Sequence, residues 1–93
     1  MKNNHAEYVL IFKALGDENR LKIIEMLIET DELCGCHILD NFKITQPTLS
    51  YHMKILTDSG IIIGRKQGAW MQYSLNREKI EEIRDYLLLN RKS

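Results

Sequence analysis

The apolar residues of this chain follow a helical period before Gly60 and a strand period after it. Before Gly60, apolar side chains recur every three or four positions in several successive segments, as they do on one face of a helix. After Gly60, the β-branched run Ile61-Ile62-Ile63 is followed by a turn at Gly68 and a second strand-like run over residues 70–75. A last helical segment follows residue 76. The pattern therefore predicts a mainly α domain with one small β-hairpin.

Local signals place the limits of five predicted helices. Asp17 and Thr45 are suitable N-caps, because their side-chain oxygens accept hydrogen bonds from the free N–H groups of a first turn. Gly16 and Gly60 suit helix ends, and Pro47 is tolerated in a first turn, where its missing N–H has no helical partner. The predicted helices cover residues 5–15, 18–30, 34–42, 46–59 and 77–90.

The spacing within these helices predicts which side chains are buried. In the fourth helix, Leu49, Met53 and Leu56 form an inward stripe. In the second helix, the predicted inward face consists of Leu21, Ile24, Leu27 and Ile28, with Ile23 beside it. The first helix carries Tyr8, Ile11, Phe12 and Leu15 on one face, and Val9 and Leu10 widen its apolar surface. Apolar residues also exceed one face of the last helix, which indicates contact with a partner chain.

The third and fourth helices are joined by the three-residue turn Lys43-Ile44-Thr45 and are followed by the hairpin. This order predicts a winged helix-turn-helix domain spanning residues 1–93, with the helix-turn-helix at about 34–59 and a two-stranded wing at about 61–75. Such a domain inserts its second helix into the major groove of DNA. The predicted DNA-binding residues are Gln46, Pro47, Thr48, Ser50, Tyr51, His52 and Lys54 of the helix and Arg65, Lys66 and Gln67 of the hairpin tip. For His52, a hydrogen bond within the fold is an equal alternative.

The charge distribution agrees with a nucleic-acid partner. Thirteen basic and thirteen acidic residues balance over the whole chain, which by itself argues against such a partner. Residues 43–75, however, contain four basic residues and only one acidic residue, Asp58, so this segment is locally basic. The basic residues are Lys43, Lys54, Arg65 and Lys66. No apolar run approaches the roughly 20 residues that span a bilayer, and the first residues lack the apolar core of a secretory signal. We therefore expect a cytoplasmic protein with no membrane partner.

Cys34 and Cys36 are the only cysteines and are separated by one residue. In a reducing compartment, such a pair is typical of a metal or redox site. On an ideal helix, side chains two residues apart point about 200° away from each other. Binding of one ion by both sulfurs is therefore expected to unwind the first turn of the third helix, which we expect to pack directly on the fourth. His37 is a further candidate donor, better suited to zinc or cadmium, and two buried structural cysteines are the alternative.

Two segments resemble the transcriptional repressors of the ArsR/SmtB family. They are Phe12-Lys13-Ala14-Leu15-Gly16-Asp17-Glu18-Asn19-Arg20-Leu21-Lys22-Ile23-Ile24 and Gln46-Pro47-Thr48-Leu49-Ser50-Tyr51-His52-Met53-Lys54-Ile55-Leu56. Ser59-Gly60 and Arg65-Lys66-Gln67-Gly68 extend the resemblance, which covers residues 8–75 approximately. It implies a homodimer joined by the first and last helices, repression at a palindromic operator and release by a bound inducer. The family's recognition-helix positions carry over to Gln46, Pro47, Ser50 and Tyr51.

The segment Glu32-Leu33-Cys34-Gly35-Cys36 is similar to the arsenic-sensing branch of that family. This similarity implies arsenite or antimonite, As(III) or Sb(III), as the inducer bound by Cys34 and Cys36. Leu39 stands where the arsenic pattern often has a third cysteine, and residues 77–90 lack the histidines of the zinc and nickel members. The alternatives are a repressor that senses oxidation or persulfide at the same cysteines, and a cadmium-, lead- or zinc-responsive member.

Enzymatic function has no support in the residue pattern. No Ser/His/Asp or Cys/His constellation and no phosphate-binding glycine loop is visible. We therefore predict a DNA-binding repressor with no catalytic cofactor. A winged helix that binds only protein is a further alternative, and it would show no dependence on operator DNA.

Overall fold

The computed structural model describes residues 5–89. Its elements follow in the order α1 (His5–Leu15), α2 (Glu18–Ile28), β1 (Leu33–Cys34), α3 (Gly35–Asp40), α4 (Gln46–Ser59), β2 (Ile62–Gln67), β3 (Trp70–Leu75) and α5 (Arg77–Leu89). The three strands form one antiparallel sheet in the order β1-β3-β2. The predicted five helices and the β2–β3 wing are confirmed, whereas β1 is an additional strand. The predicted ends at residues 1–4 and 90–93 lie outside the described residues.

The predicted helix caps are confirmed in atomic detail. The Asp17 carboxylate accepts a hydrogen bond from the backbone N–H of Arg20 at 3.1 Å. The Thr45 hydroxyl accepts one from the backbone N–H of Thr48 at 3.3 Å, with Pro47 in the same first turn. Gly60 ends α4 in the left-handed conformation at φ 89°, which glycine adopts without steric strain. Local side-chain chemistry thus sets the position of the helix-turn-helix.

The hydrophobic core lies between the helices and the inner face of the sheet. Its buried members are Ile11, Ala14, Ile23, Leu27, Ile38, Leu49, Met53, Leu56, Ile61, Ile62, Leu75 and Ile83. The predicted stripe of α4 is confirmed. The predicted face of α2 is wrong in part: Ile23 and Leu27 are fully buried, whereas Leu21 and Ile28 are 46% and 52% exposed. Apolar residues cover more than half of this helix, and packing against α1, α4 and β3 decides which of them are buried.

The third helix starts one residue later than predicted. Leu33 and Cys34 are extended and pair with Tyr73 and Gln72 of β3, which adds a third strand to the predicted two-stranded wing. Gly35, the first residue of α3, is buried against the same strand. A Cβ atom at this position would lie 3.3 Å from Cε2 of Tyr73, so any larger residue would require the tyrosine ring to shift by a few tenths of an ångström.

None of the helices within residues 5–89 is both long and apolar enough to cross a membrane.

Candidate DNA-binding surface and cysteine site

Nine of the ten predicted DNA-binding residues lie on the exposed surface of α4 and the wing. They are Gln46, Pro47, Thr48, Ser50, Tyr51, Lys54, Arg65, Lys66 and Gln67. Tyr51 is 62% exposed although its ring is large and partly apolar. Lys54 forms an ion pair with Asp58 one turn later, at 3.1 Å. This pair is exposed, so the ammonium can exchange the carboxylate for another anion at small cost.

His52 is the exception, because its ring is buried within the fold at 7% exposure. Its Nδ1 atom lies 3.0 Å from Nη1 of Arg20 and 4.0 Å from the carboxylate of Asp17. A guanidinium can only donate, so Nδ1 accepts the hydrogen bond. Arg20 also donates from Nε to the carbonyl oxygen of Ala14 at 2.6 Å. The structure thus contradicts the prediction that His52 lies on the DNA-binding surface, and shows the alternative hydrogen bond within the fold.

The junction between α1 and α2 is therefore attached to the recognition helix by side-chain hydrogen bonds. The hydrogen bond from the backbone N–H of Arg20, assisted by the charge of the Arg20 guanidinium, lowers the pKa of Asp17 below its ordinary value. Asp17 thus stays ionised beside the guanidinium at neutral pH. This network fixes α4 relative to the N-terminal helices, so that Ser50 and Tyr51 point away from the protein.

The inner face of the wing lies beside α4 and forms an open groove with it. The groove is lined by Ser50, Met53, Lys54, Thr57, Asp58, Gly64, Met71 and Tyr73. Directly opposed residues of an antiparallel pair share one face of the sheet. Lys66 is opposed to Met71, so it belongs to the face that borders α4, whereas Arg65 is opposed to Gln72 on the other face. Successive cations of the wing therefore belong to opposite faces.

Arg65 is held by a carboxylate that precedes the cysteines. Its Nη2 and Nε atoms donate to the two carboxylate oxygens of Glu32 at 2.7 and 3.2 Å. Both side chains remain partly exposed, at 55% and 35%. The hydrogen bond from Arg65 lowers the pKa of Glu32, and the same bond raises the pKa of Arg65. The fork-to-fork geometry is the strongest form of such a pair.

Cys34 and Cys36 converge at the start of α3, where their sulfur atoms are joined as a disulfide. Cys34 is the N-cap of α3, with extended backbone angles of φ −67° and ψ 141°. Its Sγ atom accepts a hydrogen bond from the backbone N–H of Cys36 at 3.1 Å. Because Cys34 precedes the helix, the two sulfurs meet while α3 stays helical. The premise that Cys34 lies inside the helix is therefore wrong, and the two sulfurs can meet without unwinding of this turn.

The third helix has neighbours on two sides. Its nearest backbone neighbours are β1 and β3, and its Ile38 side chain lies in the same core cluster as Leu49 and Met53 of the recognition helix. Cys34 is itself paired with Gln72 of β3. The structural path from the thiols to the DNA-binding surface therefore runs first through the wing.

Within residues 5–89, no third donor for an ion lies beside the two sulfurs. No group of three or more His, Cys, Asp or Glu side chains in the described part of the chain could hold a metal ion. His37 is exposed on α3 and belongs to no such group. Leu39 packs against the core. The pair by itself offers two sulfur donors once it is reduced.

An exposed apolar surface covers α1 and α5. Its members are Val9, Leu10, Phe12, Leu87 and Leu88, each 41–61% exposed. The two helices are adjacent, since the ring centroids of Tyr8 and Tyr86 are 4.6 Å apart and Lys79 pairs with Glu7. An apolar surface of this kind on two packed helices is typical of a protein–protein interface.

Three features of the site had weak or no local signals in the sequence. Glu32 and Arg65 are 33 positions apart, so no spacing rule links them. The hydrogen bond between Arg20 and His52 spans 32 positions. The only sequence signal for it was the position of His52 beside the buried stripe of α4, which is compatible with a hydrogen bond inside the fold. The contact of Gly35 with the wing follows from β1, a strand of two residues that is too short for a periodic pattern.

Comparisons with known proteins agree with this geometry. The family described as "Bacterial regulatory protein, arsR family" matches residues 17–63. The arsenical resistance operon repressor of Staphylococcus xylosus is 40% identical over 84 residues, covering 90% of this chain and 80% of that protein. An uncharacterized HTH-type transcriptional regulator of Methanocaldococcus jannaschii is 44% identical over 73 residues, or 78% of this chain and 82% of that one.

A more distant relative and a solved structure extend the comparison. A homologue of the cadmium resistance transcriptional regulatory protein, from Staphylococcus aureus, is 32% identical and covers 98% of this chain and 75% of its own length. The crystal structure of an ArsR family transcriptional regulator superposes with a TM-score of 0.87, covering 99% of this chain and 94% of that one. Its sequence identity is 23%, so this likeness concerns the fold.

Proposed function

This chain belongs to the ArsR family of bacterial regulatory proteins, and we propose that it is a dimeric repressor that leaves its operator when a thiophilic ion binds Cys34 and Cys36. The observation that carries the proposal is the position of the two sulfurs. They converge at the N-cap of α3, on a strand that pairs directly with the wing. A ligand bound there is in contact with the element that flanks the recognition helix.

The DNA-binding half of the proposal uses the exposed face of α4. Ser50 and Gln46 have side chains that can donate to and accept from base edges in a major groove, and Tyr51 extends the same surface. Lys54 and Lys66 would neutralise backbone phosphates on either side of the groove formed by α4 and the wing. Gln67 at the wing tip adds a polar contact, and Pro47 and Thr48 lie in the first turn that enters the DNA.

Two reduced thiols are well suited to a soft ion. Thiolates select thiophilic ions over hard cations, and the N–H group of Cys36 that donates to Sγ of Cys34 would stabilise negative charge there. As(III) or Sb(III) is the inducer we propose, supported by relatives named arsenical resistance operon repressors. These elements favour three donors, so water or a donor from the partner subunit would complete the set.

The ion acts by differential binding to two states of the protein. It releases DNA only to the extent that it binds the DNA-incompetent form more tightly. A tenfold loss of operator affinity requires about 1.4 kcal/mol of coupling free energy. Since α3 need not unwind to bring the sulfurs together, we assign this coupling to a displacement of β1 against β3 rather than to melting of the helix.

Dimerisation would occur through the apolar surface of α1 and α5. Leu10 and Leu88 are 55% and 61% exposed, and a second copy of this chain would bury them. A two-fold dimer would present two recognition helices to the two halves of a palindromic operator, about one helical turn apart.

The test measures operator affinity by fluorescence anisotropy, with DNA selected from random duplexes and with a phosphine reductant that does not compete for arsenite as dithiols do. Arsenite is expected to weaken binding of the wild type by about tenfold or more. Cys34→Ser and Cys36→Ser should bind the operator like the wild type and should not respond. A wild type that binds arsenite through both sulfurs and keeps its operator affinity would refute the proposal.

Oxidation is a second candidate signal, favoured by the disulfide between the two cysteines. In that reading, an oxidant removes two electrons and two protons from the dithiol and forms the bond. The same assay separates the candidates. Release by peroxide without any response to arsenite would identify the redox signal, and release by Cd²⁺ alone would identify a cadmium-type regulator. X-ray absorption of the loaded protein counts the sulfur neighbours of the ion.

A further inference from the structure

The pair formed by Glu32 and Arg65 connects the segment that carries the cysteines to the far strand of the wing. Glu32 directly precedes β1, and Arg65 lies in β2, with β3 between them. Cys34 is opposed to Gln72, and Gln72 is opposed in turn to Arg65. Cys34, Gln72 and Arg65 therefore form one row across the sheet, on the same face, and the ion pair joins Arg65 at one end of this row to Glu32, two residues before Cys34 at the other end.

This face is not the one that borders the recognition helix. Residues that line the groove beside α4, among them Met71 and Tyr73, alternate with Gln72 along β3. Arg65 thus belongs to the face opposite to the groove, and two of its N–H groups are already bound by Glu32. Lys66 belongs to the groove face and forms no ion pair with any residue in the 5–89 range.

We propose that Arg65 is a positioning residue that couples the cysteine segment, residues 32–36, to the wing through Glu32, and that it does not bind a DNA phosphate. The regulatory half of this inference rests on the proposed function. The close contact of Gly35 with Tyr73 is a second attachment of the same segment to the wing. A change at the sulfurs therefore reaches β3 through the strand pairing and β2 through the ion pair.

An exposed ion pair contributes little to stability, although the bidentate geometry of this pair is the most favourable case. The expected role of the pair is thus to determine the relative position of two segments, and its loss should change coupling more than folding. This distinguishes the inference from a purely structural role, in which Glu32 and Arg65 variants would unfold more easily and respond normally to the thiols.

The first test compares neighbouring cations. Arg65→Gln and Lys66→Gln each remove one positive charge from the wing. Lys66→Gln is expected to reduce the slope of log affinity against log salt by about 1.8 for the dimer, because each of the two protomers loses one phosphate contact worth about 0.9. Arg65→Gln should leave the slope as in the wild type. An equal reduction of the slope by both variants would show that Arg65 binds phosphate and would overturn the inference.

The second test measures the effect of operator DNA on the thiols without using an inducer. The rate of alkylation of the reduced thiols is measured with and without operator DNA. In the wild type, DNA is expected to change this rate by about threefold or more. In Glu32→Gln the change should fall below about 1.5-fold, while the melting temperature stays within about 2 °C of the wild type. The charge-swapped double variant, Glu32→Arg with Arg65→Glu, should recover most of the effect.

The outcomes separate the two proposals. If arsenite fails to release the operator but alkylation still depends on DNA through Glu32, the proposed inducer is wrong and the coupling pair stands. If arsenite releases the wild type and Glu32→Gln to the same extent, with equal DNA effects on alkylation, the pair has no coupling role. An absent DNA effect on the wild-type thiols would also overturn the inference.

Discussion

Replacement of His52 by alanine tests whether the recognition helix is fixed by the buried hydrogen bond to Arg20. His52 lies on the same helix as the proposed base-contacting residues, yet its ring is only 7% exposed. His52→Ala removes the acceptor that lies 3.0 Å from Nη1 of Arg20 and leaves this donor without its partner. The variant should therefore be less stable than the wild type.

The size of the effect follows from two contributions. A hydrogen bond to a charged group contributes about 1.5–3 kcal/mol, and we use the lower end because Arg20 is only partly buried. Loss of packing around the buried ring adds roughly 1 kcal/mol. The sum of about 2.5 kcal/mol corresponds to a decrease of roughly 10–20 °C in the melting temperature of a domain of this size.

The assay is urea and thermal unfolding followed by circular dichroism, at one fixed protomer concentration because the proposed dimerisation would affect stability. Tyr51→Ala is the matched control. It alters the neighbouring residue, which is 62% exposed, and should change stability by less than about 0.5 kcal/mol while weakening operator binding. In a double-mutant cycle, Arg20→Ala and His52→Ala should show an interaction energy of about 1 kcal/mol.

A decrease of less than about 0.5 kcal/mol in the free energy of unfolding of His52→Ala would refute the claim that this buried hydrogen bond fixes the recognition helix. It would mean that the ring is solvated in solution and that Arg20 finds another acceptor. Full additivity in the double-mutant cycle would likewise show that the two side chains do not interact.

The other predictions concern the DNA contacts, the dimer and the dependence on pH. Ser50→Ala should change the preferred operator sequence and leave the salt slope unchanged, as measured by selection and by anisotropy across a salt series. Leu10→Glu places a charge in the proposed dimer interface, and sedimentation should show a shift from dimer to monomer, whereas Lys13→Glu on the same helix should not produce it. Because Arg65 lowers the pKa of Glu32 below its ordinary value of 4.5, the pair stabilises the fold above that value. Its contribution is lost as the pH falls through the lowered pKa, so Glu32→Gln should lose less stability than the wild type in acid unfolding. Equal acid sensitivity of the two proteins would contradict this prediction.

The success of the helix and wing predictions has a local physical cause. Asp17, Thr45 and Gly60 mark helix ends through hydrogen bonds and backbone angles that involve only a few neighbouring residues. The stripe of Leu49, Met53 and Leu56 repeats with the period of the helix, so its burial was predictable once the helix was recognised. The change of period after Gly60 identified the wing in the same way.

The errors arose where one segment meets another that is distant in the chain. Leu21 and Ile23 are equally apolar, and only packing against other elements determines that Ile23 is buried and Leu21 exposed. Ideal helix geometry would place Cys34 inside α3, but the free edge of β3 pairs with Cys34 and keeps it extended. The side chains of Cys34 and Cys36 therefore point toward each other and not away from each other as expected.

By itself, the sequence determined the element order, the helix limits near their caps and the outward position of Ser50 and Tyr51, because periodicity and capping act over a few residues. The tertiary structure alone decided that Cys34 and Cys36 converge beside an intact helix and that Arg65 is bound to Glu32. It also decided that His52 turns inward to Arg20. These contacts join positions about 30 residues apart or depend on a strand of two residues. They form only when the folded chain brings such segments together, and no local pattern of residues encodes them.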